Sequence, residues 1–90
     1  MKNAAVPSGY AYAVAITPSN STAFADGTCD AIYTGDAAAP ADIVAVFGGA
    51  AAGVTMKAVP AGQTVEWRLS RVHLTGTTAT NMVALYRRKP

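Results

Sequence analysis

The sequence predicts an all-β fold, a small antiparallel β-sandwich or jelly-roll-like barrel of about seven strands. Three observations predict it. Apolar residues recur with a period of two in run after run. Clusters of Gly, Pro, Ser, Thr and Asn separate these runs at spacings of roughly 8–12 residues. No segment of helical length carries the helical period.

The first element is "YAYAVAIT" (10–17), which sets Tyr10, Tyr12, Val14 and Ile16 on one face and Ala11, Ala13, Ala15 and Thr17 on the other. Its second face is small rather than charged, so another backbone can approach it closely. "PSNST" (18–22) is a turn cluster, and "TCDAIYTG" (28–35) is a second extended run. "DAAAPA" (36–41) reads as loop, because Pro40 disfavours helix at Ala39. "DIVAVF" (42–47) is a β-branched strand, and "VTMKAV" (54–59) alternates Val54, Met56 and Ala58 inward with Thr55 and Lys57 outward.

Between these two strands lies "GGAAAGVT" (48–55), one residue short of a phosphate-binding loop because Val54 stands where a lysine would be needed. Such a loop must also lead into a helix, and Pro60 closes off that option. The stretch is therefore expected to be a hairpin bend, with Gly48, Gly49 and Gly53 supplying positive φ angles. "VPAGQTVEWRLS" (59–70) starts with a Pro60-Ala61-Gly62 turn and then alternates Val65, Trp67 and Leu69 against Thr64, Glu66 and Arg68. "RVHL" (71–74) continues extended, "TGTTATN" (75–81) is a polar loop, and "MVALYRR" (82–88) is the last strand. Residues 1–9 lack a strand pattern and form an expected N-terminal arm that docks on a shell; residues 10–90 form the single domain.

Ninety residues bury only about 60–65% of the unfolded surface. Hydrophobic residues make up 51% of the chain and charged ones 13%, against a usual charged share of about 25%. Much of the surface must then be small and uncharged, or covered by a partner. Charge is unevenly spread. Residues 1–45 hold one lysine against four aspartates, net −3, while residues 46–90 hold six cations against Glu66, net +5. If folding separates the two signs, copies pack head to tail as a ring requires; if it mixes them, they make one solvated surface. An overall charge of +2 does not call for nucleic acid. Cys29 is the single cysteine, no run reaches the roughly 20 apolar residues of a membrane helix, and the first residues lack a signal-peptide core. The expectation is a chain made and folded in the cytoplasm.

Four stretches carry a resemblance: "ITPSNST", "AIYTGDAAAPADIVAVFGG", "VTMKAVPAGQTV" and above all "RVHLTGTTATNMVALYRR". Together they resemble the spike-base (head spike base) proteins of tailed bacteriophages and gene transfer agents, over most of residues 16–88 and in matching order. The chain departs from the family at "GDAAAPADIV", where members have a shorter glycine-bearing turn. The resemblance implies an all-β virion structural protein, a homo-oligomeric platform that contacts capsid or other virion proteins and anchors a spike or fibre. It implies assembly in the host bacterial cytoplasm, no catalysis and no cofactor.

Candidate chemistry is sparse. Any acid–base scheme needs His73, with Ser70 as nucleophile, and a spacing of three in an extended run puts the two on opposite faces. Asp26, Asp30, Asp36 and Asp42 lie in or beside loops and Glu66 lies away from them in sequence, an arrangement that suits turn capping better than paired-carboxylate hydrolysis. No calcium-loop pattern is present. Trp67 between Glu66 and Arg68 imitates a base-stacking platform, yet alternation turns it inward with Val65 and Leu69. Arg87, Arg88 and Lys89 are either a contact for an acidic neighbour or a solvated tail guarding a strand edge. The expectation is thus no catalytic, cofactor or metal residue, no nucleic acid and no membrane. A carbohydrate-binding module of a phage surface is the alternative, since such modules also use aromatic platforms.

Overall fold

The computed structural model describes residues 9–50 and 52–88. Seven strands form, β1 (Tyr12–Ala15), β2 (Ala31–Tyr33), β3 (Ala41–Phe47), β4 (Val54–Val59), β5 (Thr64–Val65), β6 (Leu69–Val72) and β7 (Val83–Tyr86), with no helix among the described residues. They make two antiparallel sheets, one in the order β1-β7-β2-β5 and the other β4-β3-β6. The arm assigned to residues 1–9 lies outside the described residues except for Gly9.

The connectivity is that of a jelly roll in which the strand flanking β6 is replaced by an irregular segment. Residues 19–29 run along β6 and bond to it from the Ser19, Phe24 and Cys29 N–H groups, to the carbonyls of Val72, Ser70 and Leu69. One residue later the Asp30 N–H bonds to Leu85 of β7, so the chain changes sheets between Cys29 and Asp30. The expected run 28–35 thus shortens to β2. The expected strand 64–70 divides in the same way: Val65 pairs with Ile32 in the first sheet, while Leu69 pairs with Phe47 in the second. The result is an open sandwich and not a closed barrel, since β1 and β5 both remain edges.

The core between the sheets contains Ile32, Ile43, Leu69, Val72, Met82, Ala84 and Tyr86, with Cys29 fully buried among them. Alternation places the core residues of β3, where Ala41, Ile43 and Ala45 point inward. It fails in β4. Val54 is 50% exposed, and the residue buried at the end of the strand is Val59, not Ala58. The reason is a bulge: Ala41 pairs with Val59 but Ile43 pairs with Met56, and Ala58 takes a φ of 54°. The Asp42 carboxylate accepts the Ala58 N–H at 3.1 Å and holds the bulge in place.

The β3–β4 hairpin forms as expected, but its glycines act differently. Gly48, Gly49 and Gly53 all lie outside the positive-φ region, and the turn closes with the Ala50 N–H on the Phe47 carbonyl. Close approach explains Gly48 and Gly53. A Cβ on Gly48 would sit 2.9 Å from the Thr28 methyl, and one on Gly53 2.8 Å from Val44. The polar loop 75–81 is also more than a loop. It continues along β3 where β6 stops, the Thr77 and Thr78 hydroxyls accepting the Val44 and Asp42 N–H groups.

The two sheets meet at residues 34–36. Buried Thr34 donates its hydroxyl to the Pro60 carbonyl at 2.8 Å and accepts the Gln63 N–H at 2.9 Å, spanning the turn that leads into β5. Gly35, at φ 91°, lies so close to the Thr80 carbonyl that a Cβ would be 1.8 Å from its oxygen. The Asp36 carboxylate accepts bonds from the Thr80 hydroxyl and the Asn81 amide. Gly35→Ala should therefore destabilise the domain by more than about 3 kcal/mol, a fall in Tm of at least ~12 °C by thermal unfolding. Gly27→Ala, at φ 87° with open space around it, should lose only the left-handed strain of about 1–2 kcal/mol. Thr34→Val, which removes the side-chain partner of two partly buried backbone groups, should lower stability by about 1–2 kcal/mol in the same measurement.

Candidate functional site

β1 is short, lies at the edge of its sheet and carries no charged residue between positions 10 and 17. Its even-numbered residues bond to β7: Tyr12 pairs with Tyr86 and Val14 with Ala84, and the Ile16 N–H donates to Met82. Backbone groups of alternate residues in an antiparallel strand point to the same side. The N–H and C=O of Ala13 and Ala15 thus face away from β7, where no strand lies among the described residues. Ala11, Ala13, Ala15 and Thr17 are exposed, while Ile16 is buried and Tyr12 and Val14 are half-buried.

Beside this edge a groove of about 490 Å³ opens into the sandwich. Val14, Ile16 and Pro18 form one wall and Phe24 with its neighbours the other, and the floor reaches core residues Ala84 and Tyr86. The groove exists because residues 19–29 bond to β6 at only three backbone N–H groups and leave the gap to β1 unfilled. Asp26 is the one ionised group on the lining, half-buried and accepting a 3.3 Å bond from the Tyr12 hydroxyl. The Asp26 charge, and after it the partial burial of Tyr12 itself, raise the Tyr12 pKa. Tyr86 packs edge-on against Tyr12 at 5.8 Å and donates its hydroxyl to the Gly27 carbonyl at 2.7 Å. Burial pushes the Tyr86 hydroxyl up to about 12.

The other edges are blunted in ways that natural sheets use against unwanted pairing. β4 carries Lys57 and the Ala58 bulge, β5 is two residues long behind Pro60, and the segment 19–29 covers β6. Among the described residues β1, longer than β5, has no charged side chain, no register shift and no covering segment.

A polar cluster closes the end of the first sheet. The Tyr10 hydroxyl donates to Glu66 at 2.7 Å, Arg87 donates to the same carboxylate at 2.8 Å, and the Arg87 guanidinium lies 4.9 Å from the Tyr10 ring centre. The Arg87 N–H and the Arg68 guanidinium both bond to Asp30. Asp30 is held below the usual carboxylate range, chiefly by the Arg87 N–H, and Glu66 below its own by the Tyr10 hydroxyl and then Arg87. With Lys57 paired to Asp42 at 3.5 Å, three of the five carboxylates bind cations from the basic half of the same chain. The two signs therefore mix, and separate acidic and basic flanks do not form from these residues.

The candidate residues of the sequence are placed as follows. Ser70 and His73 are not joined: the Ser70 hydroxyl donates to Val46 at 3.4 Å, and the enclosed His73 Nε2 has no hydrogen-bond partner. The reason is not simple alternation, because a register shift at Ser70 breaks the period of two in β6. Glu66, distant from the aspartates in sequence, is joined through Arg87 to one of them, Asp30. Asp36 caps the Thr80–Asn81 turn and Asp42 the Ala58 bulge. Among the described residues no three His, Cys, Asp or Glu side chains converge on a metal-sized site. Trp67 is half-buried against Phe47 at 6.3 Å, and Arg87 is an internal ligand of Asp30 and Glu66 rather than part of a free tail; Lys89 lies outside the described residues. Sequence reading took Asp26 only as a loop carboxylate and missed its place beside Phe24 on the groove, because nothing in "PSNSTAFADG" marks that stretch as a wall.

The neutral form of Tyr86 stabilises the fold. Because its folded pKa lies above the unfolded value near 10, that contribution is full below pH 10 and is lost as the pH rises toward 12. Chemical unfolding at successive pH values should show stability falling through this window. Tyr86→Phe should flatten the fall, and at neutral pH should lose about 1 kcal/mol with the bond to Gly27. Comparison of the chain with protein-family models and with curated protein sequences gives no match.

Proposed function

We propose that the protein is a non-enzymatic virion structural subunit, which self-associates into a ring and serves as the base that anchors a spike or fibre to a phage particle. The observation that carries this reading is the edge of β1, which is uncharged, has backbone groups on Ala13 and Ala15 without a partner strand among the described residues, and has an apolar groove alongside. A sheet edge left in this state is a template for another chain. The resemblance of the terminal "RVHLTGTTATNMVALYRR" to spike-base proteins supports the virion setting. Since most carboxylates already bind cations of their own chain, the contacts between copies are main-chain and apolar rather than head-to-tail electrostatic. Glycan binding is less well supported. Tyr33, at 37% exposure, is the one exposed aromatic among the described residues and offers a single ring instead of a platform.

Light scattering on the purified protein should give a mass several times the 9.1 kDa of one chain. That mass should be unchanged between low and high salt, because screening weakens exposed ion pairs and leaves apolar and main-chain contacts in place. A single 9.1 kDa species at high concentration would defeat the proposal.

A further inference from the structure

We infer that the groove beside β1 receives an extended segment of a neighbouring copy, residues 2–7, which pairs with Ala13 and Ala15 as an added strand. This inference rests on the reading of the protein as a self-associating subunit and names the piece that joins one copy to the next.

The argument begins with what can fill the groove. Two copies pairing β1 with β1 would satisfy the free backbone groups but leave the cavity open, since Tyr12, Val14 and Ile16 of each copy are already committed to their own sandwich. Only a segment not already built into a sheet can satisfy the backbone and also send alternate side chains inward. Residues 1–8, "MKNAAVPS", directly precede the described body.

Length and chemistry both fit. Six extended residues span roughly 20 Å, enough to run beside β1 and on past Pro18. As alternate residues face inward, either Asn3 and Ala5 or Ala4 and Val6 meet a groove floored by Ala84 and Tyr86. Pro7 is acceptable in an edge strand if its missing N–H faces outward. The one ionised group on the lining is Asp26, and the one ionisable side chain in the segment is Lys2, of opposite sign.

A neighbour's segment suits the groove better than the chain's own. Tyr10 is bonded to Glu66 and packed under Arg87, and Ala11 N–H bonds to Tyr86, which ties the start of the body to the β7 side of β1. The chain's own residues 2–7 would have to pass round the end of β1 to reach its free edge. A second copy meets no such obstacle, and exchange of a terminal strand across a short hinge is a simple route to assembly.

The test compares the full chain, a chain lacking residues 2–8, and Ala23→Trp, which places a bulky ring on the exposed rim of the groove without touching the core. In light scattering the full chain should be an assembly, whereas the shortened chain and Ala23→Trp should each scatter as single chains. A synthetic peptide of residues 2–7 should bind the shortened chain saturably in calorimetry and should not bind Ala23→Trp. An assembly that survives removal of residues 2–8 overturns this inference alone and leaves the self-associating subunit standing. A full chain that is already single overturns both.

Discussion

The buried Thr34 hydroxyl and the adjoining Gly35 form the joint on which the sandwich depends. β2 is only three residues long, yet it lies inside the first sheet and its end is where the turn into β5 and the approach to β7 converge. Thr34 both donates and accepts a hydrogen bond through its hydroxyl on that turn, and among the described residues it is the one polar side chain in the buried set. In a low-dielectric interior such a group either finds both partners or weakens the fold, so its position is tightly specified. Gly35 adds a steric condition, because the Thr80 carbonyl sits in the space a side chain would take. Together they fix how the loop after β6 returns to start β7.

A second constraint is the shortage of charge. With 13% charged residues, the chain places most of its ions in structural roles: Asp42 at the bulge of β4, Asp36 at the turn before β7, and Asp30 and Glu66 around Arg87. Asn20 acts similarly without charge, accepting the Leu74 and Thr75 N–H groups and so joining the segment beside β6 to the loop that follows it. Ions used in this way are not available to steer a partner. What distinguishes β1 is therefore that, among the described residues, its edge has no such device while the other edges each have one. Stability and exposure are linked here, since the irregular segment that protects β6 is the same one that leaves the groove open.

Several features were legible in the residues alone. The period of two in "YAYAVAIT" and "DIVAVF", the turn at Gly62 and the strand "VALY" determined an all-β chain of about seven strands, because side-chain alternation and positive-φ glycine are local properties. The small outer face of β1 was equally plain. Only the tertiary structure decided the rest. That "TVEWRLS" divides between two sheets, that Val59 replaces Ala58 in the core, and that Gly48 and Gly53 of the hairpin serve close approach all depend on bulges and on contacts with residues elsewhere in the chain. The pairing of the acidic half with the basic half was also invisible, since composition counts charges without placing them. The groove is the clearest case: its walls come from residues 14–18 and 22–26, and its floor from Ala84 and Tyr86, which only the docking of β7 beside β1 brings together.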